Sequence, residues 1–199
     1  MLKSVNNFLL RNVMQIKEVK LLHVLAIGAL LFFIFLTRIS HELTSFALPD
    51  ASLIIFFAAG MLFKSGRLLA LFILTLVFVD SFAIYKESYS EIGLLNLGYL
   101  LHLSIYPLAW FVASKIKAGN GRSFSQGVLW VILLGFLISY GSHYYLYILP
   151  TNPTYSLMSF LQDNLWAYLP SNIGYALILF IAFMVLNKYG YLGLKVRPH

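Results

Sequence analysis

The sequence contains no cysteine, which excludes disulfide bonds, thiolate metal sites and a cysteine nucleophile. Charged residues are also scarce: they make up 11% of the chain, whereas about 25% is usual for a soluble domain. So few charges cannot cover a water-facing surface of ordinary size. The chain also lacks a glycine-rich phosphate loop, an acid-rich diphosphate motif and a Ser-His-Asp order. No motif indicates an enzyme, and we expect the protein not to be one.

Apolar residues dominate instead: they make up 60% of the 199 residues, with a mean hydropathy of +0.83. At about 20 residues per transmembrane helix, the chain has room for about six spans and for no separate soluble domain. The apolar segments are 21–37, 49–63, 68–85, 92–114, 127–149 and 169–187. We therefore predict an all-α polytopic membrane protein, a compact bundle of six transmembrane helices over residues 21–187.

Three details of these segments carry local predictions. Segment 49–63 is short for a full span, so we expect it to be tilted or unwound at its outer end. Pro107 predicts a kink in the fourth segment, and Pro170 suits the first turn of the sixth. Residues 155–164 are expected to form a short helix at the membrane interface.

The basic residues predict the orientation of the bundle. With six spans both termini lie on one side, and that side holds every Lys and Arg except Arg38 and Lys86. Because positive charge collects on the cytoplasmic side, the bias indicates an N-in, C-in protein. It also explains the net charge of +7 without nucleic acid as a partner. Residues 1–20 are then an amphipathic cytoplasmic segment, and 188–199 a basic cytoplasmic tail.

The acidic residues show the opposite bias, since all except Glu18 fall at the predicted outer side. Asp80 lies about one turn inside the outer end of the third segment, where an unpaired carboxylate is costly and therefore a functional candidate. Asp50 begins the second segment, so the two acids are expected to be neighbours. The alternatives are that Asp80 reaches the headgroups or binds a buried hydroxyl, and that Asp50 only caps its helix. The remaining outer acids are Glu42, Glu87, Glu91 and Asp163.

Further polar residues fall in the outer halves of the fourth, fifth and sixth segments. Asn96, Tyr99 and His102 are spaced by three and so share one helix face. These residues also have structural interpretations without a ligand. His102 can be a neutral histidine hydrogen-bonded between helices, the tyrosines can belong to the aromatic belt at the membrane interface, and Asn172 can cap its helix. We predict a polar outer cup that binds a small molecule and is lined by Asp50, Asp80, Asn96, Tyr99, His102, His143, Tyr144 and Asn172. The Asp and His types suit a divalent ion, but no ligand spacing supports one, so neither a metal nor a cofactor is predicted.

The stretches Pro49-Asp-Ala-Ser-Leu-Ile-Ile-Phe-Phe-Ala-Ala-Gly60 and Val79-Asp-Ser-Phe-Ala-Ile84 resemble small bacterial inner-membrane proteins of S-component type. In layout the whole chain looks like the substrate-binding S components of energy-coupling-factor vitamin transporters. The resemblance implies a multi-pass protein of the bacterial inner (cytoplasmic) membrane. It further implies vitamin uptake or transport of another small organic molecule, which is held near the outer face.

The same resemblance implies partners beyond the lipid bilayer and the ligand. Some S components dock on an energising transmembrane subunit with ATPases through an Ala-x-x-x-Ala motif in the first helix. Here Ala26, Gly28 and Ala29 do not match that motif, so a solitary form is also compatible with the sequence. Two alternatives stay open: a scaffold subunit of a cell-envelope complex, and a metal-ion permease subunit.

Overall fold

The computed structural model describes residues 21–39, 48–86, 96–116 and 120–188, and these ranges contain helices and no strand. The predicted all-α fold class is confirmed. The predicted amphipathic segment 1–20 lies outside the described residues, as does the tail beyond residue 188. The same holds for 40–47 and 87–95, which contain Glu42, Glu87 and Glu91.

Each predicted apolar segment is mostly helical over the residues that the structure describes. The helices are α1 Leu21–Ile39, α2 Ser52–Phe63, α3 Gly66–Lys86, α4 Leu97–Leu103, α5 Ile105–Ser114, α6 Gly121–His143, α7 Leu149–Thr151 and α8 Leu157–Lys188, with a π-helical turn Tyr144–Ile148 between α6 and α7. By length and composition, four stretches can cross a membrane: Leu21–Ile39, Leu97–Ser114, Gly121–Thr151 and Leu157–Val185. The 21 residues of α3 also make it about 30 Å long. The chain is thus a helical membrane protein.

Helix α2 forms the centre of the bundle. Its residues Ser52 to Gly60 are all buried, as expected for a helix that is apolar on every side. It packs mainly along α5 and also contacts α3, α6 and α8. The approach to α5 is close, because a Cβ added at Gly60 would lie 2.5 Å from the carbonyl oxygen of Trp110. At 12 residues α2 is about 18 Å long, in agreement with the short segment predicted from the sequence.

The two prolines of the predicted spans behave differently. Close to Pro107, where a kink was predicted, the helix is interrupted at Ser104, between α4 and α5, because proline offers no N–H to the carbonyl of Leu103. The prediction for Pro170 was wrong, since it lies inside the 32-residue α8. The interfacial helix expected at 155–164 and the segment 169–187 are therefore one helix. In apolar surroundings a break would leave more backbone groups unpaired than one internal proline does.

Helix α6 begins earlier than predicted, and the helical stretch that continues it through the π turn and α7 ends near the predicted position. The side chain of Asn120 accepts a hydrogen bond from the N–H of Ser123 at 3.1 Å and so caps the helix, which starts at Gly121 rather than near residue 127. The helix widens into the π turn just before Pro150 and stops at Thr151.

The helices bring one set of termini together, which we call the polar end. It comprises the C-terminal ends of α1, α3 and α6 and the N-terminal ends of α2, α4 and α8. Hydrogen bonds across it connect α1, α3, α4 and the π-helical turn through Arg38–Asp80, Tyr99–Asp80 and Tyr147–Asn96. Another joins Tyr175 of α8 to the carbonyl of Pro49, just before α2. It corresponds to the predicted outer side, and the orientation in the membrane stays a prediction.

Candidate functional site

Arg38 is the cation that organises the polar end. Its Nε donates to Oδ1 of Asp80 at 2.9 Å, and its Nη1 lies 3.5 Å from Oδ2 of Asp50. Its Nη2 also donates to the hydroxyl of Tyr106 at 3.3 Å. The prediction that the two acids are neighbours is confirmed, because they share this guanidinium. One arginine against two carboxylates leaves the cluster with a net charge of −1.

The two acids differ in what else they contact. Asp80 is 15% exposed and also accepts the hydroxyl of Tyr99 at 2.8 Å, so both of its oxygens are used inside the protein. Asp50 is 43% exposed, and its Oδ1 accepts the backbone N–H and the hydroxyl of Ser52 at 2.8 and 2.6 Å. Ala51 occupies the N-cap position of α2, so Asp50 holds the helix start from one residue earlier.

A cavity of about 700 Å³, here called the larger cavity, lies between the head of α2 and helices α4, α5, α6 and α8. Binding sites for small molecules usually measure about 300–1,000 Å³. Six of the fifteen residues that line it carry an aromatic ring, and the ring of His143 stacks on Phe160 with centroids 5.9 Å apart. It is lined by Pro49, Asp50, Leu53, His102, Ile105, Tyr106, Ser139, Tyr140, His143, Phe160, Asn164, Ala167, Tyr168, Ser171 and Asn172.

A second cavity of about 230 Å³, the smaller cavity, adjoins the first. His102, Ser139 and His143 line both of them. His102 is bonded on both sides, with Nδ1 2.8 Å from Oγ of Ser139 and Nε2 2.9 Å from the hydroxyl of Tyr106. The histidine thus joins α4 to α5 and α6 and also separates the two cavities. The smaller cavity is lined by Asn96, Gly98, Tyr99, His102, Ser139, Ser142, His143 and Tyr147.

The structure divides the predicted site residues into three groups. The larger cavity is lined by Asp50, His102, His143 and Asn172, and the smaller one by Asn96, Tyr99, His102 and His143. Asp80 and Tyr144 line neither cavity. Tyr144 is buried, and its hydroxyl donates to the carbonyl of Tyr155 at 2.7 Å, which connects the π-helical turn to the segment before α8.

Two asparagines of the predicted set have different roles. Asn96 caps α4, because its Oδ1 accepts the N–H of Tyr99 at 2.7 Å, and it also accepts the hydroxyl of Tyr147 at 3.1 Å. Asn172 lies well inside α8, so the cap considered for it is excluded. It is 5% exposed, and its Nδ2 donates to the carbonyl of Tyr168 at 3.0 Å. Its Oδ1 is buried without a hydrogen-bond partner among the described residues.

Sequence reasoning missed Arg38 and most of the cavity wall. Arg38 was noted only as one of two basic residues on the predicted outer side, although a lone cation among acids is itself a signal. Tyr140 was one of the tyrosines assigned to the aromatic belt, and Tyr168 was not among the predicted ligand-binding residues, yet both line the larger cavity. Their rings contact each other edge to face, with centroids 5.8 Å apart.

The described ranges contain no group of three or more His, Cys, Asp or Glu side chains close enough to hold a metal ion. No protein-family model, curated protein or solved structure matches this chain.

Proposed function

We propose that this chain is a membrane-embedded binding and uptake protein for a vitamin-like or other small organic molecule. The ligand occupies the larger cavity at the polar end. The observation that carries the proposal is this cavity of about 700 Å³, whose wall contains four residues predicted from sequence to bind a ligand: Asp50, His102, His143 and Asn172. Its size is that of a site for a small organic molecule.

The composition of the wall supports an organic ligand. Small-molecule sites usually combine apolar and aromatic walls with a few polar groups that orient the ligand. Here Tyr140, Phe160 and Tyr168 supply flat aromatic surface, while Asp50 and Asn172 supply polar atoms. A ring system can stack between the aromatic side chains while its polar substituents reach the carboxylate and the amide.

The layout of the chain is compatible with uptake across the bacterial inner membrane. With the polar end outside, the ligand reaches the cavity from the exterior without crossing the apolar half of the bundle. The sequence shows no nucleotide-binding motif, so if uptake uses ATP hydrolysis, the ATPase is supplied by other subunits. This arrangement matches the resemblance to S components, in which an energising transmembrane subunit with ATPases is a partner.

The test is ligand binding with the cavity blocked. The purified chain in lipid nanodiscs is screened by thermal shift against vitamins and related small molecules. Ala167, which lines the larger cavity, is replaced by tryptophan to fill it. The matched control is Ala182→Trp, an exposed position on the same helix that does not line the cavity.

We expect at least one compound to raise the melting temperature of the wild type and of Ala182→Trp but not of Ala167→Trp. A screen without any ligand contradicts the proposal and favours the envelope-scaffold alternative, for which the polar end is a protein contact. A ligand that still binds Ala167→Trp places binding elsewhere in the molecule and contradicts the assignment of the cavity.

A further inference from the structure

We infer that the larger cavity selects a small organic cation that carries N–H donors, such as a primary or secondary ammonium or an amidinium group attached to a ring. The inference rests on the proposed function and specifies its class of ligand. It follows from two independent features of the wall, the charge of Asp50 and the unpaired oxygen of Asn172.

The first feature is the sign of the charge. Among the described residues that line the larger cavity, Asp50 is the single carboxylate and none is a Lys or an Arg. Arg38 lies behind the wall and binds Asp80 at 2.9 Å but Asp50 only at 3.5 Å. The net charge of −1 on this cluster therefore belongs mainly to the carboxylate that faces the cavity. A cationic ligand completes the charge balance, whereas an anionic ligand adds repulsion.

The second feature is the orientation of the side-chain amide of Asn172. The carbonyl of Tyr168 can only accept, so the atom of Asn172 that faces it must be the amide nitrogen. The oxygen is then the atom left buried without a partner. A buried, unpaired acceptor is costly, and a ligand N–H removes that cost. Asp50 likewise offers only acceptor oxygens, so both polar groups call for donors on the ligand.

The other titratable groups of the wall do not reverse this preference. Both ring nitrogens of His102 are already bonded, to Ser139 and Tyr106. His143 stacks on Phe160. The faces of Tyr140 and Tyr168 attract a cation through their π electrons, whether or not it carries N–H groups. The aromatic wall therefore favours cations in general, and the acceptor on Asn172 distinguishes an ammonium from a fully alkylated one.

The experiment compares matched probes on the full chain in nanodiscs by isothermal titration calorimetry. Tryptamine, N,N,N-trimethyltryptammonium, tryptophol and indole-3-acetate share one ring system and differ in the terminal group. The same four groups are tested on single-ring and three-ring scaffolds, so that ring size does not decide the result. Asp50→Asn removes the charge but can still accept from Ser52, and Asn172→Leu removes the acceptor. Asp163→Asn is the control, because this exposed acid lies outside both cavity walls.

We expect the ammonium probes to bind more tightly than the alcohols and the carboxylates. Asp50→Asn should weaken ammonium binding by about 10- to 100-fold, the range for a charged hydrogen bond, while Asp163→Asn leaves it unchanged. Asn172→Leu should weaken the ammonium but not the trimethylammonium probe. If Asn172→Leu does not fold, Asp50→Asn still decides the charge preference.

Equal or tighter binding of the alcohol or carboxylate probes overturns the inference and leaves the proposed function standing. An Asp50→Asn protein with unchanged ammonium affinity has the same consequence. If no probe and no compound of the vitamin panel binds, whatever its charge, the proposed function fails together with the inference.

Discussion

Replacing Asp80 with asparagine is expected to destabilise the bundle several times more than the same change at Asp50, although both acids contact Arg38. The Arg38–Asp80 pair is 2.9 Å long, and its side chains are 12% and 15% exposed. Removing one partner of a buried pair costs about 3–5 kcal/mol, because the other charge stays buried alone. The slight exposure and the remaining contact to Asp50 put the expected cost of Asp80→Asn near the lower limit, at about 3 kcal/mol.

The corresponding estimate for Asp50→Asn is smaller. Its contact to Arg38 is 3.5 Å long, and its side chain is 43% exposed, so the pair is worth about 0.2–1 kcal/mol. The asparagine oxygen can still accept the two hydrogen bonds from Ser52, which preserves the start of α2. The free energy of unfolding should therefore fall by about 1 kcal/mol or less.

A double-mutant cycle separates the ion pair from other effects of the substitutions. The double mutant Arg38→Gln/Asp80→Asn should lose clearly less free energy of unfolding than the two single mutants together, since neither charge is then left buried without its partner. The measurement is equilibrium unfolding in mixed micelles with increasing SDS, followed by tryptophan fluorescence. Equal costs at Asp50 and Asp80, or additive effects in the double mutant, would refute the reasoning.

Three further predictions concern packing, capping and orientation. Gly60→Ala should lower the free energy of unfolding by about 1–3 kcal/mol, because the new methyl group meets the α5 backbone. The control, Gly174→Ala, has open space around it and should be neutral or stabilising by up to about 1 kcal/mol. Similar losses of stability at both glycines would contradict the close approach of α2 to α5. Asn120→Ala should lower the free energy of unfolding by about 1 kcal/mol, because α6 loses its N-cap, and Asn120→Ser should restore most of this stability. An alanine variant as stable as the wild type would contradict the capping role. Because the chain has no cysteine, single cysteines report orientation: an impermeant maleimide should label Thr154→Cys in intact spheroplasts, and Ser65→Cys only after permeabilisation. The reverse labelling pattern contradicts the N-in, C-in prediction.

The sequence by itself determined the fold class and the side of the bundle on which the polar residues gather. Both are dictated by the membrane, which requires helices of a minimum apolar length and separates basic loops from the rest. The proximity of Asp50 and Asp80 followed from the same reasoning, because consecutive antiparallel helices bring the start of one near the end of the next. Segment 49–63 was also predicted to be short for a span, and α2, which lies within it, is a short helix of 12 residues.

Local rules failed where tertiary context decides between outcomes that the chain allows. Pro107 and Pro170 carry the same local preference, yet the first interrupts a helix and the second lies inside one. A proline is tolerated inside a membrane helix when neighbouring groups satisfy the backbone carbonyl that it leaves without a hydrogen bond. Which groups surround the proline cannot be read from its neighbours in sequence.

Only the tertiary structure decided which polar residues meet a cavity. The sequence favoured Asp80 over Asp50 as a ligand-binding acid and left a helix cap as the alternative for Asp50. In the structure Arg38 and Tyr99 occupy both oxygens of Asp80, and Asp50 is the acid on the cavity wall. The unpaired oxygen of Asn172 was equally invisible in sequence. The physical reason is that the depth of a residue follows from its place along a helix, whereas its neighbours follow from how the helices rotate and pack against one another.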